Sequence, residues 1–514
     1  MFKGTLLVLL SIGWVQSGSI LFYMSMGSNS HWNTWQPLIH KLAERGHNLT
    51  VVSPFQDKVL QKAPNVKSVI TEIDFTKATN STAVFSGEKM MNFAKFKDIM
   101  IAGQNKVMAM PEIREMVDHK PDFDVAIVFI TSIDAVFYAL TEIHKIPFAF
   151  YFPATRIPAY DFLMGNPVNP SYIPVEFLNY SQEMTFLQRV LNTLVLVGME
   201  TFVRFSYWMS ISPEVQRHLN LTERPDVWGA GKNAELLFTN SHPIYDGVRP
   251  INPNTIFVGG IHCREGKALP KDIQKWMDEA EHGVIYVSFG SILTGSNMPL
   301  EKQQQLMNTL GRLKQRVIWK WETEEMTNKP SNILLKNWCP QQDILAHPNA
   351  KLFITHGGLL STQEALFHGV PMIYMPGFAD QFANAARAER LGFGKQIDWP
   401  DLTEELLYST IMEVTTNPSF DSTLERMSSL FKDNPIHPLD KAVHSAEFLI
   451  RHKGAKHLRP ANRHLNWFQF CCLDVALFIG GCLIMILSFV FFMVRCLFRC
   501  CCGSRIPSAK LKSQ

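Results

Sequence analysis

Cysteine is scarce in the body of this chain. Of its nine cysteines, only Cys263 and Cys339 precede residue 471. This placement excludes a disulfide-stapled scaffold, and the lack of any C-x-x-C pair argues against a structural zinc site. The two body cysteines could pair, but two free thiols are the simpler interpretation.

The sequence signals of several well-known classes of nucleotide- and nucleic-acid-binding protein are also missing. The net charge is only +3, with no long basic patch before the tail, which argues against a nucleic-acid partner. No G-x-G-x-x-G follows a strand-like run, as a nicotinamide oxidoreductase would require. The stretch from Gly290 to Ser296 has the spacing of a phosphate-binding loop but lacks its lysine. No acidic cluster of the D-x-D kind lies near residues 338–381, so we expect no required metal and no cofactor.

The composition is that of a folded protein with ample apolar surface. Hydrophobic residues make up 46% of the 514, charged residues 18% and aromatic residues 11%. This balance excludes disorder, and the length exceeds the roughly 250–300 residues at which one core stops growing. We therefore expect two folded domains.

The N-terminus has the layout of a secretory signal peptide. Lys3 precedes an apolar run from Leu6 to Val15, and small residues follow at 17–19. The run is too short to span a bilayer. We predict a signal peptide over residues 1–18, with a buried first strand as the alternative.

The strongest physical signal lies near the C-terminus. Residues 475–494 carry no charged side chain and are long enough for one helical membrane crossing; a buried core helix is the weaker alternative. The tail at 495–514 holds five basic residues and no acid, which predicts a cytosolic tail and a luminal body. Its cysteines suit palmitoylation, and Lys510 and Lys512 resemble a dilysine retrieval signal of the endoplasmic reticulum. Four glycosylation sequons precede the span, at Asn48, Asn80, Asn179 and Asn220.

Short apolar runs alternate with helix-like segments along the chain. The predicted strands are 20–25, 49–53, 125–129, 146–152, 284–288, 317–321, 333–338, 351–355 and 372–375. Repeated strand–helix units with continuously apolar strands predict parallel sheets covered by helices on both faces. The expected fold class is α/β, with two tandem Rossmann-like doubly wound domains plus one C-terminal transmembrane helix. Ligands bind such sheets beyond the carboxyl ends of the strands, so the cleft between the domains is the expected site.

The segment from Trp338 to Gln381 carries the chemistry. In it, Thr355-His356-Gly357-Gly358 follows a predicted strand and opens a helix. Paired glycines let the backbone approach a ligand, and a helix N-terminus offers N–H groups to phosphate, although this pattern alone is weak. Glu364, on the same helix face as Ser361, could accept hydrogen bonds from ribose hydroxyls or could be a solvated helix residue.

This whole segment resembles the donor-binding signature of UDP-glycosyltransferases, including UDP-glucuronosyltransferases. The sequence HGGLLSTQEA is most like that of arthropod members, and the resemblance extends over nearly the whole chain. It implies the GT-B architecture. It also implies that Trp338 and Gln341 hold uridine, Glu364 the ribose, His356, Gly358, Ser361 and Ser291 the diphosphate, and Asp380 and Gln381 the sugar. Without the resemblance, Trp338 would be assigned to the core and Asp380 to a helix N-cap.

The catalytic base is predicted in the N-terminal half. His31 follows the first strand at the carboxyl edge of the sheet, where a reactive residue belongs, although a lone histidine there is more often a polar cap. The resemblance makes His31 the base that removes the acceptor proton. Many members have Asp at the end of the strand where this chain has Phe129. Asp134 is therefore the nearest candidate to orient His31.

The expected domains are a signal peptide at 1–18, an acceptor-binding domain at 19–240, a linker at 241–282, a UDP-sugar-binding domain at 283–455, a juxtamembrane segment at 456–474, the span at 475–494 and the tail at 495–514. Residues 185–210 are apolar but interrupted by charges. They predict a helix on a membrane surface or an acceptor pocket, or an ordinary core helix.

The predicted function is inverting transfer of a hexosyl group from a UDP-sugar to a hydroxyl of a small lipophilic acceptor, in detoxification or in hormone or pigment conjugation. Glucose is favoured over glucuronate. A catalytically inactive, membrane-anchored binder of lipophiles or UDP-sugars is the alternative. The partners are the donor, the acceptor and the membrane, with no nucleic acid; oligomerisation is left open. The expected location is the endoplasmic reticulum membrane, single-pass type I, with luminal catalytic domains.

Overall fold

A computed structural model describes residues 17–74, 81–85, 93–155, 157–175, 178, 180–290, 293, 295–323 and 326–502. Most of the predicted signal peptide, the sequons at Asn80 and Asn179, the candidate Ser291 and the dilysine-like end lie outside these residues. The chain divides into two compact units, residues 1–459 and 460–514.

A first parallel sheet occupies the N-terminal half. Its described strands are β1 (Ser19–Tyr23), β2 (Asn48–Ser53), β3 (Val66–Ile70), β4 (Val125–Phe129), β5 (Phe148–Phe152), β6 (Leu236–Thr239) and β7 (Thr255–Phe257). Their order in the sheet is β3-β2-β1-β4-β5-β6-β7. β4 and β5 are buried along their whole length, because helices cover both faces of the sheet. The chain reverses its winding direction between β1 and β4, so these strands flank the switch point.

A second parallel sheet repeats the pattern. Its described strands are β8 (Val284–Ser288), β9 (Arg316–Lys320), β10 (Ile333–Lys336), β11 (Ala350–Thr355), β12 (Met372–Tyr374) and β13 (Gly394–Gln396). Their order is β10-β9-β8-β11-β12-β13, which puts the switch point between β8 and β11. Two doubly wound sheets confirm the predicted fold class.

Helices connect the strands. They are α1 (Asn29–Glu44), α2 (Ser81–Phe85), α3 (Phe93–Met108), α4 (Pro111–Asp118), α5 (Ala135–Tyr138), α6 (Pro158–Leu163), α7 (Phe186–Ser206), α8 (Ser212–His218), α9 (Val227–Ala230), α10 (Pro243–Asp246), α11 (Lys271–Asp278), α12 (Leu300–Gly311), α13 (Gln341–Leu345), α14 (Leu359–His368), α15 (Gln381–Leu391), α16 (Glu404–Thr416), α17 (Pro418–Lys432), α18 (Pro438–Arg451), α19 (Trp467–Phe470) and α20 (Leu473–Cys502). Local chemistry sets their ends. Ser28, for example, caps α1, because its hydroxyl accepts the His31 N–H at 3.4 Å.

The two halves exchange packing elements. Helix α18 follows the second sheet in the chain, yet its apolar face is buried in the core of the first sheet beside α1. Helix α2 follows β3 of the first sheet, yet Val84 and Phe85 belong to the core of the second half. Strand β7 also extends the first sheet into the predicted linker. The domain boundaries drawn from the sequence remain predictions.

Among the residues that the structure describes, two helical segments are long and apolar enough to cross a membrane. One is α20, which contains the predicted span at 475–494 and whose large apolar side chains are exposed. The other runs from Phe186 through α7 and α8 to His218. Most of its apolar side chains are exposed, including Leu187 and Leu194. The alternative of an ordinary core helix for residues 185–210 is therefore wrong.

Candidate active site

His356 lies at the switch point of the second sheet, between two glycines. It follows β11, and the loop after the neighbouring β8 contains Gly290. A Cβ on Gly290, whose φ is +82°, would lie 2.7 Å from Cε1 of the His356 ring. A Cβ on Gly358 would lie 2.7 Å from Nε2. Both positions therefore require glycine, and the ring lies directly against two backbone segments that a ligand can reach.

The charge state of His356 follows from its surroundings. Burial, reinforced by the positive charge of Lys320, lowers its pKa to about 4, against a hydrogen bond with the Ser288 backbone. Lys320 is fixed nearby, because its ammonium donates to the Gly290 carbonyl at 2.5 Å. At neutral pH the His356 ring is neutral and can offer one N–H.

Helix α14 begins directly after His356. Gly358 is its N-cap residue, and no side chain caps the helix. The first N–H groups of this ten-residue helix, with the positive end of its dipole, are the groups that hold phosphate in many α/β proteins. Together with His356 they give this loop the chemistry of a diphosphate site.

Glu364, Gln341 and Ser361 form one hydrogen-bonded group. Gln341, at the start of α13, donates from Nε2 to Oε2 of Glu364 at 2.6 Å and to Oγ of Ser361 at 2.9 Å. Burial raises the pKa of Glu364 to about 7, against the hydrogen bond from Gln341 and the charge of Arg264. Glu364 is only 8% exposed, so the alternative of a solvated helix residue is wrong. A carboxylate in this position can accept hydrogen bonds from two ribose hydroxyls.

His262 joins this group, although it was not among the predicted site residues. Its Nε2 lies 3.5 Å from Oε1 of Glu364 and 3.3 Å from the Leu360 carbonyl. Burial lowers its pKa to about 4. The available signal was the Gly259-Gly260 pair just after β7, which brings the chain close to α14. There the backbone N–H of Gly260 donates to Gln363 at 3.3 Å.

Trp338 projects from the loop after β10. Its side chain is 74% exposed, so the alternative of a core residue is wrong. The strand ends at Lys336, two residues earlier than expected. An exposed indole three residues before Gln341 can form the stacking surface that a uracil ring needs.

Asp380 and Gln381 occupy the start of α15, after β12. Asn384 donates from Nδ2 to Oδ2 of Asp380 at 3.0 Å and to the Gly357 carbonyl at 2.9 Å. Tyr245 in turn donates to Oδ1 of Asn384 at 2.8 Å. Asn384 thus joins the sugar-binding candidates to the phosphate loop, a role its sequence position did not reveal. Asp380 stands at the N-cap position, but its side chain makes no capping bond.

Gln381 is buried and partly committed to its own loop. Its Oε1 accepts the backbone N–H groups of Gly377 at 2.8 Å and Phe378 at 3.1 Å. These bonds occupy the carbonyl oxygen of the side chain, so a contact of Gln381 with a sugar hydroxyl would use the amide N–H groups as donors.

His31 lies in the first turn of α1, after β1 and beside the switch point of the first sheet. Its ring centroid is 5.1 Å from that of Phe129, the last residue of β4. Burial lowers the pKa of His31 to about 4, while the carboxylate of Asp74 acts in the opposite direction. At neutral pH the ring is therefore uncharged and able to accept a proton.

Asp134 does not fit its predicted place beside His31. One carboxylate oxygen accepts the Tyr23 hydroxyl at 2.7 Å, and the other accepts the Phe137 N–H at the start of α5 at 3.0 Å. Tyr23 belongs to one core cluster of the first sheet, whereas Phe129 belongs to the cluster that contains α1. The reason is strand alternation, which sends neighbouring side chains of β1 to opposite faces. Among the described contacts, Asp134 is a helix cap rather than a partner of His31.

Helix α2 links the loops at the carboxyl edge of the first sheet to those at the carboxyl edge of the second sheet. A Cβ on Gly377, three residues before Asp380, would lie 2.3 Å from Cγ1 of Val84. The Phe85 ring packs edge-on against Trp399 with centroids 4.7 Å apart. The segment that leaves β3 thus reaches the loop that holds the sugar-binding candidates.

The described residues contain no group of three or more His, Cys, Asp or Glu side chains placed to hold a metal ion. The expectation that no metal is required stays a prediction.

Comparison with known proteins extends this assignment to the whole chain. Residues 21–506 match the family model described as "UDP-glucoronosyl and UDP-glucosyl transferase". The chain is 33% identical over 503 residues to UDP-glycosyltransferase UGT5 of Dactylopius coccus, covering 95% of this chain and 93% of the relative. It is 30% identical over 522 residues to human UDP-glucuronosyltransferase 1A10, covering 97% and 95%.

A solved structure supports the fold. It is a UDP-glucosyltransferase from Polygonum tinctorium capable of glucosylating indoxyl, in complex with 3,4-dichloroaniline. It superposes with a TM-score of 0.57 over 85% of this chain and 99% of that one, at 18% identity. At that identity the likeness shows the fold alone. By the match over nearly its whole length, the chain belongs to the UDP-glucuronosyl and UDP-glucosyl transferase family, enzymes that transfer a sugar from a UDP-sugar to an acceptor.

Proposed function

We propose that this enzyme transfers a hexosyl group, with inversion at the anomeric carbon, from a UDP-sugar to a hydroxyl of a small lipophilic acceptor. The observation that carries the proposal is the second switch point, where His356 lies between two glycines at the open N-terminus of α14. Glu364 stands one turn further along the same helix, where ribose hydroxyls would follow a bound diphosphate.

The donor is held from its base to its sugar by consecutive loops of the second sheet. Trp338 stacks on uracil, and Gln341 contacts the uridine. Glu364 accepts the ribose hydroxyls. His356, Gly358, Ser361 and Ser291 contact the diphosphate, and Asp380 and Gln381 the sugar. Gln341 bonds both Ser361 and Glu364, so binding of the ribose and of the phosphates is coupled through one side chain.

The chemical step is a single displacement. The neutral His31 ring accepts the proton of the acceptor hydroxyl as its oxygen attacks the anomeric carbon. The bond from that carbon to the β-phosphate oxygen breaks, and UDP leaves. The helix N-terminus and the His356 N–H stabilise the charge that develops on the leaving oxygen. No metal ion takes part, so a chelator should leave turnover unchanged.

Glucose is the proposed sugar. The signature at residues 338–381 resembles that of arthropod members. A further relative, UDP-glucosyltransferase 2 of Dactylopius coccus, is 35% identical over 459 residues. Vertebrate relatives such as human UDP-glucuronosyltransferase 1A10 are named glucuronosyltransferases, which makes glucuronate the competing donor. The acceptor is proposed to be a phenol, a steroid or another lipophilic alcohol in detoxification or in hormone or pigment conjugation.

The proposed location is the endoplasmic reticulum membrane, with α20 as the single span and the two sheets in the lumen. The apolar exposed surface of α20 supports a membrane span. Asn48 and Asn220 are exposed and therefore open to glycosylation in the lumen. Alkaline extraction should leave the protein in the membrane pellet, and an N-glycosidase should reduce its apparent mass. Release into the supernatant or an unchanged mass would contradict this location.

The donor and stereochemistry are tested together in microsomes from cells that express the chain, with microsomes from untransfected cells as control. A panel of phenolic acceptors is incubated with UDP-glucose or UDP-glucuronate, and the product anomer is determined by NMR. We expect β-glycoside from UDP-glucose alone. Product from UDP-glucuronate alone would overturn the sugar, α-glycoside would overturn inversion, and no product from either donor would overturn the proposed reaction.

A further inference from the structure

His31 lacks the carboxylate neighbour that the family resemblance places at the end of β4. Phe129 fills that place, 1% exposed, with its ring against the His31 ring. An aromatic ring can fix the tilt of an imidazole, but a cation–π contact supplies neither the full negative charge nor the hydrogen-bond acceptor that a carboxylate offers to the protonated ring. The proposed reaction therefore needs a negative charge from another element.

The segment after β3 supplies one. Thr71 donates from its hydroxyl to the Ser25 carbonyl at 2.9 Å, which holds this segment against the loop between β1 and α1. The Gly27 N–H then donates to the Ile73 carbonyl at 3.4 Å, and Asp74 forms a parallel bridge with Gly27. Asp74 is thereby fixed beside Gly27, in the loop that precedes α1. Gly27 is four residues before His31 in the chain.

Two other carboxylates near this edge are bound elsewhere. Asp134 accepts from Tyr23 and from the N-terminus of α5. Asp57 bonds Gln36 at 2.7 Å and His40 at 2.8 Å. Neither is placed to act on His31.

We propose that Asp74 is the positioning residue of His31, the carboxylate that holds the base and stabilises its protonated form in place of the one missing at Phe129. This inference rests on the proposed role of His31 as the base. In the reaction the proton passes from the acceptor hydroxyl to His31, and the Asp74 carboxylate balances the imidazolium charge.

The electrostatics agree with this placement. The groups around His31 include the Phe129 ring from β4, Ser28 at the start of α1 and the Asp74 carboxylate. Asp74 raises the pKa of His31 against the effect of burial. Removing this charge should lower the pKa of the imidazole further and make it a weaker base.

The test compares two neutral variants, Asp74→Asn and Asp74→Ser, with Asp74→Glu and with Glu72→Gln in the full-length protein. Glu72 is a matched control, because it is a carboxylate in the same segment whose side chain is exposed. Its ion pair is a long one, with 4.0 Å between its Oε2 and Nζ of Lys106. Transfer rates are measured from acid to neutral pH, with UDP affinity and thermal unfolding in parallel. The rate of a neutral variant is compared with that of the wild type only if its unfolding temperature and its UDP affinity match the wild-type values.

In a neutral variant we expect kcat to fall roughly 10- to 100-fold, with the acid limb of the pH–kcat profile moved to lower pH. Asp74→Glu should recover much of the rate, and Glu72→Gln should match the wild type. A folded neutral variant with wild-type kcat and acid limb would overturn the proposal. So would a loss of kcat with an unmoved acid limb, since that would mean a merely structural role.

His31→Ala separates this inference from the proposed function. If His31→Ala abolishes transfer while the neutral Asp74 variants do not impair it, only the role of Asp74 fails. If His31→Ala leaves transfer intact, the proposed base fails and the inference fails with it. In the His31→Ala background, a second substitution at Asp74 should cause no further loss, because the two residues act as one unit.

Discussion

At the scale of single residues, the site depends on carboxyl and imidazole groups whose protonation is set by burial. Glu364, Gln341 and Ser361 were predicted from one contiguous signature, and the structure brings them into one hydrogen-bonded group. His262 and Asn384 were missed because each reaches the site through tertiary packing. Asp134 was predicted beside His31, but its carboxylate caps α5 and accepts the Tyr23 hydroxyl, contacts with residues that its position in the chain did not reveal. Contiguous motifs are therefore predictable, whereas partners from distant segments are not.

Glu364 yields a prediction on pH. In the proposed donor complex, ribose hydroxyls donate to the ionised carboxylate, and burial raises the pKa of this group in the free protein to about 7. Bound donor therefore favours the deprotonated form, so affinity for UDP-glucose should rise as pH increases through this value, by up to about tenfold per unit below it. UDP-glucose is the right probe because its diphosphate does not titrate in this range. Calorimetry at several pH values measures the effect.

Glu364→Gln should bind UDP-glucose more weakly at high pH and lose the pH dependence. The exposed Glu425 provides the matched control, and Glu425→Gln should keep it. An affinity that does not change with pH in the wild type would contradict the role assigned to this carboxyl group.

At the scale of elements, two loops and one helix N-terminus shape the phosphate site. Strands buried on both faces, such as β4 and β8, were predicted at their observed bounds, because a continuous apolar run has few other interpretations. β3, β6, β7 and β13 were missed. β6 is a buried run of only four residues, and β7 has three residues. β3 is largely exposed at a sheet edge, and β13 has only three residues. Periodicity is weak in such strands.

Gly290 tests the packing of this site. A methyl group there would lie 2.7 Å from the His356 ring, and the φ of +82° disfavours any side chain. Gly290→Ala should displace His356 and weaken UDP affinity by about tenfold or more, the effect of losing one or two good hydrogen bonds to a charged group. Gly369→Ala is the matched control, since its φ is +71° but nothing lies within 4 Å of the added methyl.

Gly369→Ala should lower stability by about 1 kcal/mol through backbone strain and leave UDP affinity unchanged. Thermal unfolding and UDP titration on both variants separate strain from the local contact. Equal UDP affinity in the two variants would show that His356 does not depend on Gly290.

At the scale of the whole molecule, helix α18 joins the end of the second half to the first sheet. Arg45, at the end of α1, donates to Glu447 of α18 at 2.6 and 3.2 Å, and His47 lies 3.2 Å from the same carboxylate. The sequence predicted two sheets but not the packing of α18 against the first sheet. The apolar periodicity of a helix shows that one face is buried, but it does not show which element covers that face.

Glu447→Gln measures this connection. Burial alone would raise the pKa of Glu447, but the hydrogen bonds from Arg45 and His47 lower it overall. The ionised Glu447 therefore stabilises the folded protein at pH values above the pKa that this glutamate has in the unfolded chain. This stabilisation is lost as the pH falls through the lower pKa of Glu447 in the folded protein. The substitution should destabilise the protein by about 2 kcal/mol near neutral pH, and by less in acid.

The matched control is Glu44→Gln, which removes an exposed carboxylate 3.3 Å from Lys41 and should change stability by no more than about 0.5 kcal/mol. Thermal unfolding of both variants at neutral and acid pH checks the prediction. A Glu447→Gln protein as stable as the wild type would mean that the return of α18 does not depend on this ion pair.

The most direct test of the account is the transfer rate of His31→Ala beside its UDP affinity. The control is His119→Ala, which removes an exposed histidine at the end of α4. With UDP-glucose and a phenolic acceptor, we expect His31→Ala to lose at least about a hundredfold in kcat while binding UDP as the wild type does, and His119→Ala to keep its rate. Wild-type turnover by His31→Ala would contradict the assignment of His31 as the base.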